Sequence, residues 1–299
     1  MQVIMYQANA FTDKLFEGSP IGIVPDAKNL TKEDMTRIVK ITNLNKIAFI
    51  ISNGEECFSI RFFNSEEEVV FCDCATVASF YALAQRGYIK GVENGCVRAY
   101  QCTEVGKKPI DIYFKDWEVD RVELCEQKPV VVSDNVDLDE LSLVLNIDKE
   151  EIGISNFNIK SEITFKGLKD MIVPIKDSEI LDSLVIDVDK IKSSELLKDV
   201  DRVYVFSIDE NEVINYICIE FKQKESCVNE DDTSGLMYYI KKNKLLEKSH
   251  FIYKNKSLKE KYNYMHCEII ENKDGYPIKI GGRASIYLEG VVTYGDQIR

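Results

Sequence analysis

The sequence predicts a mixed α/β protein built as two similar halves, each a group of strands around one helix. Three observations carry that expectation. Several short runs rich in β-branched and aromatic residues alternate, as strands do when one face is buried. Two apolar stripes recur at helical spacing, Val77, Phe80, Leu83 and Ala84 early in the chain and Leu236, Tyr239, Ile240 and Leu245 late in it. Each stripe follows an acidic, turn-like segment, residues 68–76 in the first half and 227–235 in the second. At 299 residues and 45% hydrophobic content, the chain is long enough for two domains of roughly 150 residues each.

The strand candidates of the first half are residues 2–8, 47–51, 58–63 and 110–114. Met35, Ile38, Val39 and Ile41 mark a helix behind Thr31, and Asp34 three residues on gives it a cap-like start. The second half repeats the plan with strand candidates at 202–208, 216–221, 266–270 and 285–292. The polar stretch 117–126 is the expected crossover, so residues 1–117 and 118–285 should form two domains with separate sheets, each wrapped on an amphipathic central helix. A helix N-terminus carries unpaired N–H groups and partial positive charge, so two of them facing each other would cradle a small anion such as a carboxylate.

Composition removes several function classes. A net charge of −13 repels nucleic acid and anionic membranes, and no stripe of Lys and Arg with interleaved aromatics offsets it. The longest apolar runs are too short to span a bilayer, and no basic region leads into an apolar one at the N-terminus, so a cytoplasmic location is the expectation. Nine scattered cysteines without a CxxC pair point to reduced thiols, with neither a disulfide scaffold nor a zinc site. No GxGxxG or P-loop signals a dinucleotide or a nucleoside triphosphate. The two histidines, His250 and His266, lie outside every motif below and pair with no nucleophile in the sequence.

A family resemblance enters through five segments in order along the chain. Residues 9–20, Asn9-Ala10-Phe11-Thr12 through Gly18-Ser19-Pro20, resemble the DAFTxxPFxGNP opening of the phenazine-biosynthesis PhzF-like proteins. Residues 43–49 resemble their NLSETAF, and Arg61-Phe62-Phe63 leading into residues 71–76 resembles RFFTPxxExPFCGHAT. Residues 230–235 are similar to EDPATG, and Gly281-Gly282-Arg283-Ala284 to the late glycine–arginine segment. The resemblance implies the fold shared with diaminopimelate epimerase, two domains each with a curved, mostly antiparallel sheet around a central helix. It also implies a last strand, about 286–299, that returns to complete the first domain. The chemistry it implies is removal of a proton beside an acidic or carbonyl-bearing carbon and its return at another position, in an interdomain cleft, without metal or organic cofactor.

The residues depart from that family where the chemistry is done. Proton transfer between carbons needs a group that takes the proton and holds it, tuned by burial. The family's Glu of NLSETAF is Lys46 here, either an ammonium at the cleft rim or a base whose pKa desolvation would have to lower by roughly three units. Asp73-Cys74 replaces Gly-His, which removes an imidazole; Cys74 could serve as acid or base, while packing is the simpler use of Cys72. Asp231 keeps the family's acidic position, as a catalytic carboxylate or as a helix cap. Leu236 replaces a serine and Asp232 a proline, so the cradle loses a hydroxyl and gains negative charge.

Asp231, Lys46 and Cys74 are therefore the catalytic candidates, and Cys72, Asp73, Ser234, Gly235 and Arg283 the substrate-binding ones, with Lys46 or Arg283 to neutralise the acidic cluster. The expected activity is that of a PhzF-like isomerase or epimerase acting on a small carboxylate-bearing metabolite without metal or cofactor. The alternative is a PhzF-like protein that has lost catalysis and serves as a binding subunit. The expected partner is the small-molecule substrate, with no nucleic acid or membrane; a homodimer stays open.

Overall fold

The computed structural model describes residues 1–12, 14, 17–54, 56–69, 72–103, 106–154, 159–184, 190, 193–220, 233–255, 262–270 and 277–295. The first half runs β1 (Gln2–Ala10), β2 (Ser19–Val24), α1 (Lys32–Thr42), β3 (Ile47–Ser52), β4 (Cys57–Phe63), β5 (Glu68–Val69), α2 (Asp73–Gln85), β6 (Gly95–Thr103), β7 (Gly106–Lys115) and β8 (Glu118–Glu126). The second runs β9 (Val130–Ser133), α3 (Leu138–Leu145), β10 (Glu162–Phe165), β11 (Lys169–Pro174), α4 (Ser178–Ser183), β12 (Arg202–Ile208), β13 (Val213–Glu220), α5 (Ser234–Lys242), β14 (His250–Asn255), β15 (Tyr262–Ile269), β16 (Ile278–Gly282) and β17 (Ala284–Thr293).

Strand pairing makes the internal repeat explicit. In the first half the ladder runs β17–β1–β2–β3–β4–β6–β7–β8, antiparallel except for β2–β3 and β4–β6. The second half runs β9–β10–β11–β12–β13–β14–β15–β16, antiparallel except for β11–β12 and β13–β14. The parallel steps fall at the same places, and in each half the second one is bridged by a central helix, α2 or α5. A parallel step cannot be closed by a tight turn, so each requires a crossover.

The expectation of separate sheets is overturned. β8 pairs antiparallel with β16, from Val122 opposite Gly282 to Glu126 opposite Ile278, so one hydrogen-bonded ladder runs through both halves. The stretch 117–126 reads as a polar crossover because its charged residues dominate, yet Val122 and Leu124 alternate and are buried, and a register shift against β7 brings Val119 to the same core, which makes it a strand with one apolar face.

Both central helices are buried on all sides over most of their length, not on one face alone. In α2, Asp73 through Phe80 and Ala82 through Ala84 are all buried, and in α5 Ser234 through Ile240 are. Alanines and Ser79 in α2 let strands approach closely on several sides. Cys72, Cys74, Leu236 and Met237 belong to one continuous apolar core that includes Ile110, Ile112, Val122, Leu124, Ile278 and Ile280 from the seam strands. The sheet of the second half is also covered on its outer face. Tyr204 and Phe206 turn toward α5, whereas Val203 and Val205 pack with Leu141, Val144 and Leu181 of α3 and α4. The unbroken hydrophobic run of β12 follows from burial on both faces.

α1 has the capping box that the sequence signals. Thr31 Oγ1 accepts from the Asp34 N–H at 3.2 Å, and Asp34 Oδ2 accepts from the Thr31 N–H at 3.0 Å. Met35, Ile38 and Val39 face the core, while Ile41, the fourth residue of the expected stripe, is 55% exposed. Cys57 and Cys102 form a disulfide across the parallel β4–β6 step, with Cα atoms 5.9 Å apart. That corrects the expectation of reduced thiols throughout; the pair is 45 residues apart in sequence, and only strand pairing brings it together. Among the described residues, no helix is long and apolar enough to cross a membrane.

Candidate active site

The start of α2 is built from Cys72, Asp73 and Cys74, which are 2%, 3% and 1% exposed. Cys72 is the N-cap, in extended backbone, and its carbonyl accepts from both the N–H and the Oγ1 of Thr76, at 2.9 and 2.7 Å. The Cys72 and Cys74 sulfurs lie 3.2 Å apart. The first turn of the helix thus presents two touching thiols and a carboxylate beside backbone N–H groups that have no partner within the helix.

α5 starts at Ser234 and is pinned along β10, running in the opposite direction. Lys166, just past β10, donates from Nζ to Ser234 Oγ at 3.0 Å; Tyr239 donates its hydroxyl to the Lys160 carbonyl at 2.7 Å; and Lys242 Nζ holds both oxygens of Glu162 at 2.8 Å. Gly235 sits inside the helix, where its backbone is not left-handed. A Cβ there would stand 3.4 Å from Asp170 Oδ2, so the residue allows close approach of β11.

Lys166 also reaches Glu126 Oε2 at 2.8 Å, and Lys108 pairs with the other oxygen. Burial of Glu126 opposes its ionisation, but the two ammonium groups outweigh this and hold its carboxyl below the ordinary range. Two lysines thus flank one buried carboxylate beside the start of α5. No local signal in the sequence marks Lys166, Lys108 and Glu126, which come from three different strand ends with no common motif.

Lys46 immediately precedes β3, half-buried, with its carbonyl accepting from the Gly22 N–H at 2.9 Å. Asp231, with Glu230 and Asp232, lies outside the described residues. Arg283 joins β16 to β17 and donates from Nη2 to Asp120 Oδ1 at 2.5 Å. It lines a cleft of about 500 Å³ with Tyr81, Gln85, Lys115 and Ser285, beside the C-terminal end of α2.

The opening motif ties the halves together. Phe11 is fully buried with φ 59°, a strained setting for a residue with a side chain, and its carbonyl accepts from the Tyr264 N–H of β15 at 2.7 Å. Its ring meets Tyr253 edge-on at 6.4 Å. A Cβ on Gly282 would lie 3.1 Å from the Phe11 ring and 2.9 Å from the Tyr264 carbonyl, and one on Gly281 would collide with the Val122 carbonyl across the seam. The paired glycines therefore serve backbone approach.

On the seam face away from the core lies a buried ionic row. Arg98, Asp111, Glu123, Gly281 and His266 are successive partners across β6, β7, β8, β16 and β15. Glu123 is fully buried; Arg121 Nε donates to its Oε1 at 2.7 Å, and His266 Nδ1 lies 2.8 Å from the same oxygen. Lys279 Nζ contacts Asp111 at 2.8 Å, and Arg98 grips Asp111 through two bonds of 2.7 and 3.0 Å. Burial would raise both carboxyls, but their basic neighbours prevail and hold Asp111 and Glu123 below the usual range. Burial pushes the nearby Cys125 thiol up to about 12. His266 is thus paired with a carboxylate that no spacing in the sequence revealed.

A family model described as phenazine biosynthesis-like protein, PhzC-PhzF, matches residues 8–289. An uncharacterized isomerase of Clostridium acetobutylicum is 26% identical over 301 residues, covering 95% of this chain and 96% of the relative. A PhzF-family phenazine biosynthesis protein of Bacillus anthracis superposes with TM-score 0.75 at 19% identity, over 98% of this chain and 99% of that one. A predicted epimerase of Pseudomonas aeruginosa does so with TM-score 0.71 at 13% identity, over 98% and 100%. At such identities the likeness to the two solved structures establishes the fold alone.

Proposed function

We propose, for a chain that belongs to the phenazine biosynthesis-like PhzC-PhzF family, an isomerase or epimerase that moves a proton on a small carboxylate-bearing metabolite. Family membership supports isomerase chemistry in general. The observation that carries the finer reading is the pair of buried helix starts, Cys72-Asp73-Cys74 on α2 and Ser234-Gly235 on α5, feeding one shared core.

In this reading the substrate sits in the cleft between the halves, with its carboxylate on the helix-start N–H groups. Removing the adjacent proton places negative charge on that carboxylate as an enediolate, and fixed N–H dipoles stabilise the charge where it develops. Asp231 takes the proton and returns it to another carbon. Lys46, as an ammonium, offsets the acidic residues around Asp231, and Cys74 contacts the reacting carbon or relays a proton. Cys72, Asp73, Ser234 and Gly235 complete the binding set, whereas Arg283, beside the opposite end of α2 and bonded to Asp120, stands apart from it. Lys166 adds a cation beside Ser234, which supports a place for an anion despite the overall negative charge. A base and an anion cradle suffice for this step, so the proposal includes no metal or organic cofactor.

The test is deuterium incorporation from heavy water into a panel of small unsaturated amino and hydroxy acids. Incorporation by the native protein that vanishes in Asp231→Asn is expected. Incorporation that survives that substitution would overturn the role of Asp231, and none by the native protein across the panel would overturn the activity.

A further inference from the structure

We propose that Cys72 and Cys74 form a reversible disulfide when the protein meets a hydroperoxide, which makes the start of α2 a modification site. The sulfurs are already 3.2 Å apart, so reaching the disulfide length of about 2.05 Å takes roughly 1 Å of side-chain movement. Asp73, between them, is the first helical residue, and a helical residue holds its neighbours' Cα atoms about 5.5 Å apart, inside the range disulfides adopt. The backbone is also fixed there, because Thr76 binds the Cys72 carbonyl twice. The pair therefore closes by turning side chains, with the helix intact.

Burial selects the oxidant. With Cys72 and Cys74 only 2% and 1% exposed, a bulky disulfide reagent cannot reach either sulfur, whereas hydrogen peroxide is small and neutral. One thiolate sulfur attacks a peroxide oxygen, and the O–O bond breaks. This leaves a sulfenic acid and a hydroxide that leaves as water with the thiol's proton. The second sulfur attacks the sulfenic sulfur, and the S–O bond breaks. That oxygen leaves as a second water with the remaining protons. Two thiols are oxidised by two electrons, and one peroxide is reduced to two waters. A small dithiol reverses the change once the helix start is opened to it. The effect on activity rests on the function proposed above: closing the bond removes both thiols from the helix start, so proton exchange should stop.

The experiment uses the full-length protein treated with hydrogen peroxide, freed of excess peroxide, unfolded in guanidinium chloride, alkylated, digested with trypsin and weighed. Cleavage after Arg61 and Arg86 yields a peptide, residues 62–86, whose only cysteines are Cys72 and Cys74. The expected result is loss of the mass of two hydrogen atoms and of both alkylation sites, with full recovery when dithiothreitol is added to the unfolded protein before alkylation. Two retained alkylation sites, oxygen added to either sulfur without a disulfide, or a cross-link to another peptide would each overturn the proposal. In Cys72→Ser, unfolding the peroxide-treated protein in the presence of dimedone should trap a sulfenic acid on Cys74; if that variant fails to fold, the native peptide still decides. The mass readout does not depend on catalysis, so a disulfide without proton exchange would count against the proposed function alone. Exchange that persists in fully disulfide-bonded protein would overturn the regulatory role.

Discussion

Replacing Glu123 by leucine tests whether the ionic row on the seam holds the two halves together. The carboxylate is fully buried, accepts from Arg121 at 2.7 Å and lies 2.8 Å from His266 Nδ1. Removing one member of a buried pair costs about 3–5 kcal/mol, because the remaining charge stays buried without compensation. Here Arg121 is 27% exposed on its side chain and keeps Asp120 at 2.9 Å, and Lys279 keeps Asp111 at 2.8 Å. The expectation is therefore the low end, about 3 kcal/mol, a large share of a total stability of about 5–15 kcal/mol. With a urea dependence of about 3 kcal/mol per molar, the midpoint should fall by about 1 M. Far-UV circular dichroism in urea measures it, and a cycle with His266→Gln should return a coupling of about 1 kcal/mol or more. A change within about 0.5 kcal/mol, the size of an ordinary surface substitution, would refute the reasoning and make the row a solvated charge pattern.

Further outcomes follow from the same geometry. Gly281→Ala should destabilise the protein and weaken protection of the β8 and β16 amides in hydrogen exchange, because its Cβ would collide with the Val122 carbonyl; unchanged protection would contradict this. Phe80→Ala should cost about 3–5 kcal/mol by urea unfolding, since the ring is fully buried and meets Phe58 edge-on at 5.8 Å. Glu68, Asp111, Asp120, Glu123 and Glu126 all have lowered carboxyl pKa values in the folded protein. Their contribution is complete above the unfolded pKa of about 4 and is lost as pH falls through the lower folded values. Thermal midpoints should hold between neutrality and about pH 5 and then drop; a flat profile down to about pH 3 would contradict the shifts. Lys46→Glu should keep or raise deuterium incorporation, and its loss would identify Lys46 as a working base.

The sequence by itself determined the mixed α/β class, the capped helix at Thr31, the helices behind Cys72 and Thr233, and the family. Each rests on local signals: period-two and helical spacing, a cap residue with its partner three positions on, and short ordered motifs. The tertiary structure decided what depends on which strands become neighbours. Pairing of β8 with β16 turned an apparent polar crossover into the seam strand of one continuous ladder, because backbone pairing is set by partners about 150 residues away that leave no trace in local polarity. The same pairing placed Glu123 beside His266 and Asp111 beside Lys279, and the β4–β6 step joined Cys57 to Cys102. The repeat of strand order and of parallel steps is far clearer than the matching stripes of α2 and α5. Hydrogen-bond topology can persist through changes of side chain, whereas sequence likeness records each change.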